Sequence, residues 1–276
     1  MTRLERVGGL ALATALLTLA GCAGQKPVDS APRAGTARQS GPAADPVPRP
    51  EPRSNYGNGP VYEVNGKLYN VLDTSYGYRE RGVASWYGTK FHGRPTSSRE
   101  PYDMHEMTAA HKTLPLPTYV RVRNLSNNRS IVVRVNDRGP FVDNRIIDLS
   151  YAAAVKLDMI RDGTSLVEVT AISFDNPPVE NVRVASVTDD PEPAPGRGKA
   201  TVYVQVGAFG DEGNARRRHD LLHEHGIREA FIHRDTAAAQ PIYRVRIGPI
   251  SGVDQYDGLV ARLQRIGISE THLVTE

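Results

Sequence analysis

The sequence predicts two folded units of different class: a mainly β domain of short strands closing into a compact barrel, then an α+β unit in the order βαββαβ. Between Val61 and Phe174 the apolar residues fall in short β-branched or alternating runs cut by Gly, Pro, Asn and Asp. That pattern belongs to a small barrel and not to an alternating α/β sheet. From Lys199 to Glu276 two helical periods sit among four extended runs. Between the units, residues 176–198 contain Pro177-Pro178 and Pro191-Glu-Pro-Ala-Pro-Gly196, which read as a flexible linker.

The 276-residue chain opens with Arg3 and Arg6, followed by an apolar run from Val7 to Leu19 and then Ala20-Gly21-Cys22. The run is too short to cross a bilayer, so residues 1–21 read as a secretory signal peptide. Cys22 is the single cysteine, which rules out an intramolecular disulfide. Its place directly after Ala-Gly matches a bacterial lipobox, in which that cysteine is acylated and anchors the chain to a membrane. Each buried CH₂ of such a chain contributes ~0.8 kcal/mol, so several acyl chains hold stably. Ala23, and not Asp, follows the cysteine, which directs the expectation to an outer-membrane lipoprotein facing the periplasm. Residues 22–55 are dominated by Pro, Ala, Arg, Ser and Gly without hydrophobic period and read as a disordered tether. A net charge of only +3 supports no general electrostatic claim on nucleic acid.

In chain order, two short β-like runs flank Asn65-Gly66, the strongest short hairpin signal, so residues 56–78 read as an N-terminal hairpin extension. The barrel domain covers residues 79–175 and opens with the strand from Gly82 to Tyr87. Thr108-Ala-Ala-His111 reads as one helical turn with Thr108 as N-cap. Residues 119–123 alternate as a half-buried strand, and residues 131–135 form a β-branched strand cut off by Asn136-Asp137-Arg138-Gly139-Pro140. Ser150 caps an Ala-rich helix over residues 151–158, and residues 165–174 alternate again. The last unit, residues 199–276, places strands at 201–206, 230–233, 242–247 and 270–274, with helices at 211–225 and 252–266.

Asp137 ends a buried strand and is flanked by Arg134, Arg138 and Arg145. Loop residues held by a rigid strand often carry chemistry, but capping the turn or pairing with an arginine explains an acid here equally well. Between Phe91 and Arg145 also lie His92, Glu100, Asp103, His105, Glu106, His111 and Asp143. His105-Glu106 lacks the second His of a His-Glu-x-x-His helix, and no cysteine is available for a structural zinc, so neither metal nor cofactor is expected. No Gly-x-Ser-x-Gly elbow is present, which argues against a serine esterase. Carboxylates and a His on short loops suit proton transfer to a glycosidic oxygen, and they are equally ordinary as solvated loop charges.

Several uncommon words recur in order: Gly82-Val-Ala-Ser-Trp-Tyr-Gly88, Phe91-His-Gly-Arg-Pro-Thr96, Glu100-Pro-Tyr-Asp-Met104, Met107-Thr-Ala-Ala-His-Lys-Thr-Leu-Pro115, Val133-Arg-Val-Asn-Asp-Arg-Gly-Pro-Phe141 and Arg145-Ile-Ile-Asp-Leu-Ser150. Over about residues 79–174 the chain closely resembles the rare lipoprotein A family. The resemblance implies a six-stranded double-psi β-barrel and lytic transglycosylase activity on peptidoglycan. Such cleavage between N-acetylmuramic acid and N-acetylglucosamine needs a proton on the leaving oxygen and attack by the sugar's own 6-hydroxyl, giving a 1,6-anhydro end. Residue by residue, Asp137 matches the family's catalytic acid, and Glu100, Asp103 and His111 match other polar groups around the cleft. On this expectation His111 and Glu100 orient the sugar or steady developing positive charge. Trp86, Tyr87 and Arg138 are the expected sugar contacts, with a core role for an aromatic as the other reading. The chain departs from the family at Ser97-Ser98-Arg99, usually Ala-Asn-Gly, and at Leu116-Pro117-Thr118, commonly Leu-Gly-Thr. Arg99 is thereby expected to narrow or recharge the cleft near Glu100.

In the last unit, Tyr203-Val-Gln-Val-Gly-Ala-Phe209 and Tyr243-Arg-Val-Arg-Ile-Gly-Pro249 resemble the two most recognisable strands of a SPOR domain. This implies binding of peptide-free (denuded) glycan at the division septum, with division proteins as further partners. Alternation sends Val202, Val204 and Val206 toward the helices and leaves Tyr203 and Gln205 on the open face. In the partner strand Ile242, Arg244 and Arg246 face outward, and these five residues are the glycan-binding candidates. RNA-binding domains share the topology, but the export signal and the lack of stacked aromatics on the central strands argue against nucleic acid. Two rival functions stay open on the residues alone: a non-catalytic wall-binding lipoprotein, and a hydrolase pairing Glu100 with Asp137.

Overall fold

The computed structural model describes residues 43–174, 200–236 and 240–276; the signal peptide, Cys22 and the Pro-rich linker lie outside the described residues. Strands β1 (Val61–Val64) and β2 (Lys67–Asn70) pair antiparallel with Val64 opposite Lys67. Asn65 and Gly66 both take positive φ, 52° and 75°, as a type I′ turn demands.

Six strands close the barrel: β3 (Arg79–Trp86), β4 (Thr108–His111), β5 (Thr118–Asn124), β6 (Ser130–Asp137), β7 (Arg145–Leu149) and β8 (Ser165–Ile172). Their order around the barrel is β3-β7-β4-β6-β5-β8. β3 with β7 and β4 with β6 run parallel, and every other neighbouring pair is antiparallel. This is the double-psi barrel. Period-2 alternation packs Val120, Val122, Val133, Val135, Val167 and Val169 into one fully buried core. Each such side chain contributes about 1.5–3 kcal/mol of burial energy. Helix α1 (Tyr151–Lys156) begins where expected, with the Ser150 hydroxyl accepting from the Ala153 N–H.

Two expectations are corrected. Residues 108–111 are not a helical turn: they form β4, inserted between β6 and β7 with all four residues buried. The helical preference of Ala amounts to tenths of a kcal/mol per residue, and two hydrogen-bonded ladders with full burial outweigh it. The tether expected to run through residue 55 is docked on the barrel from residue 43. Asp45 accepts from the Val132 N–H at 2.8 Å and pairs with Lys156, and Glu51 meets Arg134 at 2.8 Å. Acids in a Pro-rich run show no hydrophobic period, yet they find cations on the barrel surface.

The second unit consists of β9 (Val202–Phe209), α2 (Glu212–Glu224), β10 (Ala230–Asp235), β11 (Ile242–Ile250), α3 (Val253–Arg265) and β12 (His272–Thr275). The sheet is antiparallel in the order β10-β11-β9-β12. Val204 and Val245 pack with Leu222 and Leu263 in a fully buried layer between sheet and helices.

Candidate functional site

Asp137 is the last residue of β6 and lies in a cleft of about 580 Å³ whose walls include Trp86, Tyr87, Phe91, Tyr102, Phe141 and Asp148. Three donors converge on its Oδ1: the Ser97 N–H at 2.8 Å, the Ser97 hydroxyl at 2.6 Å and the Arg138 N–H at 2.7 Å. Among the described residues its Oδ2 receives only the Tyr87 hydroxyl, at 3.2 Å. One oxygen therefore caps the turn, while the residue lines the cleft. Among the described residues it forms no ion pair with its flanking arginines. Burial, and then the charges of Asp137 and Asp148, raise the Tyr87 hydroxyl well above its ordinary range, so it remains a donor.

Asp148, on β7, also lines the cleft, though its sequence position does not single it out. Barrel register explains its place: Ala110 is the cross-strand partner of both Asp137 and Asp148, and Ser85 is the partner of Asp148 on its other side. Two strand spacings put the backbones of the two acids about 10 Å apart, with Ala110 on the strand between them. The Ser85 hydroxyl donates a hydrogen bond to Asp148 Oδ1. Gly139, at φ +139°, lies over Asp148: a Cβ there would stand 4.0 Å from Oδ2 and 3.7 Å from the Ala110 Cβ. Burial pushes the Asp148 carboxyl above its usual range; Ser85, Lys112 and Arg145 oppose this, and Asp137 reinforces it. The overlooked signal was an acid inside an otherwise apolar strand, Ile146-Ile147-Asp148-Leu149.

The other expected acids and bases lie elsewhere. Glu100 accepts from Arg134 Nη1 at 2.7 Å, Arg134 Nη2 at 3.0 Å and Asn136 Nδ2 at 2.7 Å, outside the cleft walls. Burial raises its carboxyl, but the bonds from Arg134 and Asn136 outweigh this, and it sits below the ordinary range. Asp103 accepts from the His105 N–H at 2.9 Å and lies 3.6 Å from His92 Nδ1, capping an exposed turn.

His111 is only 2% exposed, and its Nδ1 accepts from the N–H groups of Thr113 at 3.1 Å and Leu114 at 3.0 Å. Nε2 must then carry the proton and donates to the Tyr78 hydroxyl at 2.7 Å, which in turn bonds Glu80. Burial, with Arg138 and Lys112 adding, lowers the imidazole to about 3, so it is neutral in the folded protein. His111 is buried with both ring nitrogens engaged, whereas Glu100 accepts three bonds from Arg134 and Asn136 and keeps a partly exposed side chain.

The Arg138 guanidinium is likewise tied inward, to the carbonyls of Gly57 (2.8 Å), His111 (3.1 Å) and Leu114 (2.6 Å) and to Asn58 Oδ1 (3.2 Å). Its contribution to the cleft is its backbone N–H on Asp137. Burial brings the guanidinium down to about 10, which still leaves it charged at neutral pH. Trp86 both lines the cleft and packs on the barrel core. Arg99 takes φ +73° and lays its guanidinium 4.8 Å over the Tyr56 ring, outside the cleft walls, so it neither narrows nor recharges the cleft. A left-handed φ favours glycine, the residue the family usually has there.

On the second unit, Tyr203 stands edge-on to Phe231 with ring centroids 5.5 Å apart. Gln205 and Arg246 share the open face but are buried, bonded to each other at 3.4 Å, with Arg246 also paired to Glu276. Arg244 pairs with Asp235 at 3.0 Å, and Ile242 is half-buried opposite Asp235. The face is thus wider than the five expected residues, and Phe231, His233, Asp235, His272 and Glu276 also belong to it. Among the described residues, no three His, Cys, Asp or Glu side chains are grouped as metal ligands would be, and no helix is long and apolar enough to cross a membrane.

Comparison with known proteins matches residues 79–169 to a family described as lytic transglycolase and residues 198–272 to the SPOR domain. The endolytic peptidoglycan transglycosylase RlpA of Pseudomonas aeruginosa is 37% identical over 260 residues, covering 76% of this chain and 74% of that protein. The protein of the same name from Vibrio cholerae is 54% identical over 133 residues, covering 48% of this chain and 50% of its own length. The solved SPOR domain of RlpA from Pseudomonas aeruginosa is 28% identical, covering 26% of this chain and 96% of that structure, at a TM-score of 0.24.

Proposed function

The chain belongs to the RlpA family of endolytic peptidoglycan transglycosylases, and from that membership we propose that its barrel cleaves the β-1,4 bond between N-acetylmuramic acid and N-acetylglucosamine without water. The product is a 1,6-anhydro end. The observation that carries this reading is the cleft acid Asp137, with one oxygen fixed by three donors and the other open toward an aromatic-walled groove. Trp86, Phe91 and Phe141 on the walls suit the apolar faces of sugar rings. Fixing Oδ1 holds the carboxyl in one orientation, so Oδ2 can exchange a proton with the sugar at no further ordering cost.

The SPOR unit binds peptidoglycan, and we further propose a preference for peptide-free strands, hence enrichment at the division septum near division proteins. Acylation at Cys22 and an outer-membrane address belong to the same proposal, supported by the Leu19-Ala-Gly-Cys22 word. The test uses the full chain on purified, peptide-free glycan, with products read by mass spectrometry. Asp137→Asn is expected to cut anhydro ends at least about 100-fold, in the range typical for loss of a general acid or base, while circular dichroism stays unchanged. Undiminished anhydro product from that variant overturns the assignment of Asp137; reducing ends from the wild type indicate a hydrolase, and no cleavage indicates a wall-binding protein.

A further inference from the structure

A lytic cleavage moves two protons: one arrives on the departing oxygen and one leaves the attacking 6-hydroxyl. A single acid has to perform both transfers in turn, whereas two carboxyls at fixed separation divide them. The cleft holds two. Asp137 and Asp148 flank Ala110 in one cross-strand row, and both line the cleft. Their surroundings differ in the sense this division needs. Asp137 Oδ1 collects two backbone N–H groups and a hydroxyl, donors suited to an ionised, acceptor-only carboxylate. Asp148 has one hydroxyl, Ser85, on Oδ1, and Oδ2 lies beneath Gly139 with no ion-pair partner among the described residues.

We propose that Asp148 is a second catalytic residue, the general acid that protonates the leaving glycosidic oxygen, while Asp137 receives the proton of the 6-hydroxyl. This rests on the transglycosylase reading above. The C1–O4 bond breaks and its electron pair takes the Asp148 proton; O6 bonds to C1 and its proton passes to Asp137. No water or other co-reactant is consumed, and exchange with solvent returns each carboxyl to its starting state. The Ser85 hydroxyl is a positioning group, holding Oδ1 so that the proton-bearing Oδ2 faces the cleft. The raised carboxyl of Asp148 fits this role, since burial and Asp137 favour its neutral form against Ser85, Lys112 and Arg145. The phenols of Tyr87 and Tyr102 and the cations Lys90, Arg94 and Arg138 are the other titratable or charged groups lining the cleft.

The experiment measures anhydro ends from peptide-free glycan across pH 4–9 for the full chain, Asp148→Asn and Ser85→Ala. Asp148→Asn is expected to lose at least about 100-fold. Ser85→Ala removes a bond that favours the ionised carboxyl, so the basic limb of the rate profile should move to higher pH. A wild type that makes anhydro ends, an Asp148→Asn variant within threefold of it and an unmoved limb in Ser85→Ala together overturn the proposal and leave the broader reading standing. A wild type without anhydro ends overturns both. If Asp148→Asn does not fold, the Ser85→Ala profile decides: a raised limb supports Asp148 as the acid, and an unmoved limb refutes it.

Discussion

The barrel treats its acids in two opposite ways. Glu168, on β8, lies between Arg81 at 2.7 Å and Arg123 at 3.1 Å, and Glu51 and Glu100 share the Arg134 guanidinium. Asp137 and Asp148 meet hydroxyls and backbone N–H groups and form no ion pair among the described residues. Burial raises Glu168, but Arg81 and Arg123 outweigh it, and the carboxyl sits below its usual range; the same burial at Asp148 prevails. An arginine beside a carboxylate fixes its charge and uses it to join strands. A hydroxyl beside one orients it and leaves its proton exchangeable. The same side-chain chemistry serves the fold in one row of the barrel and the reaction in another.

If that contrast is right, removing a paired acid damages stability, and removing an unpaired one damages chemistry. The largest stability effect is expected for Glu168→Ala, which takes away the carboxylate shared by Arg81 and Arg123. A loss of about 3–5 kcal/mol in urea denaturation is the usual scale for breaking a buried pair. Activity per folded molecule should stay within threefold of wild type. Loss of activity without loss of stability would erase the distinction between the two sets.

A smaller effect is expected from pH acting on His111. Its folded value of about 3 lies below the ordinary 6.5, so on acidification the unfolded chain takes up the proton first. Stability from the neutral imidazole is complete above about pH 6.5 and is lost progressively down to about pH 3, amounting to about 2 kcal/mol by pH 5. Thermal melts at pH 7 and pH 5 should show this loss in the wild type and a smaller one in His111→Gln. An equal loss in both would remove His111 from the structural set. The smallest effect belongs to Arg99→Gly. Relief of the left-handed φ is worth about 1–2 kcal/mol, offset by glycine's entropy and the lost contact with Tyr56, so the net change should stay within about 1 kcal/mol. A destabilisation near 3 kcal/mol would make the Tyr56 contact an anchor of the N-terminal segment.

Local patterns were legible wherever local energetics decide. Asn65-Gly66 announced its hairpin, Ser150 its helix, and alternation in the SPOR strands assigned the inward faces correctly. In residues 165–172 the expected alternation gives way to burial on both faces, since Ser165 to Val169 are all buried in the closed barrel. The strand end at Asp137 was legible as well. What misled was residue type read without partners. Thr108-Ala-Ala-His111 has the composition of a helical turn but sits in the middle of a closed sheet, where hydrogen bonds come from strands distant in sequence. Glu100 and His111 stand in the right words for a cleft, and the structure adds their partners: Arg134 and Asn136 for the first, Tyr78 and the 113–114 backbone for the second.

The sequence by itself determined the two-unit architecture and the acid at the close of β6, because periodicity and turn chemistry act within a few residues. Only the tertiary structure decided which acids share a cleft. Asp148 stands eleven positions from Asp137 and reaches it through Ala110, a residue from a third strand. That adjacency is a property of barrel register, and so is the difference between a carboxyl beside an arginine and one beside a serine.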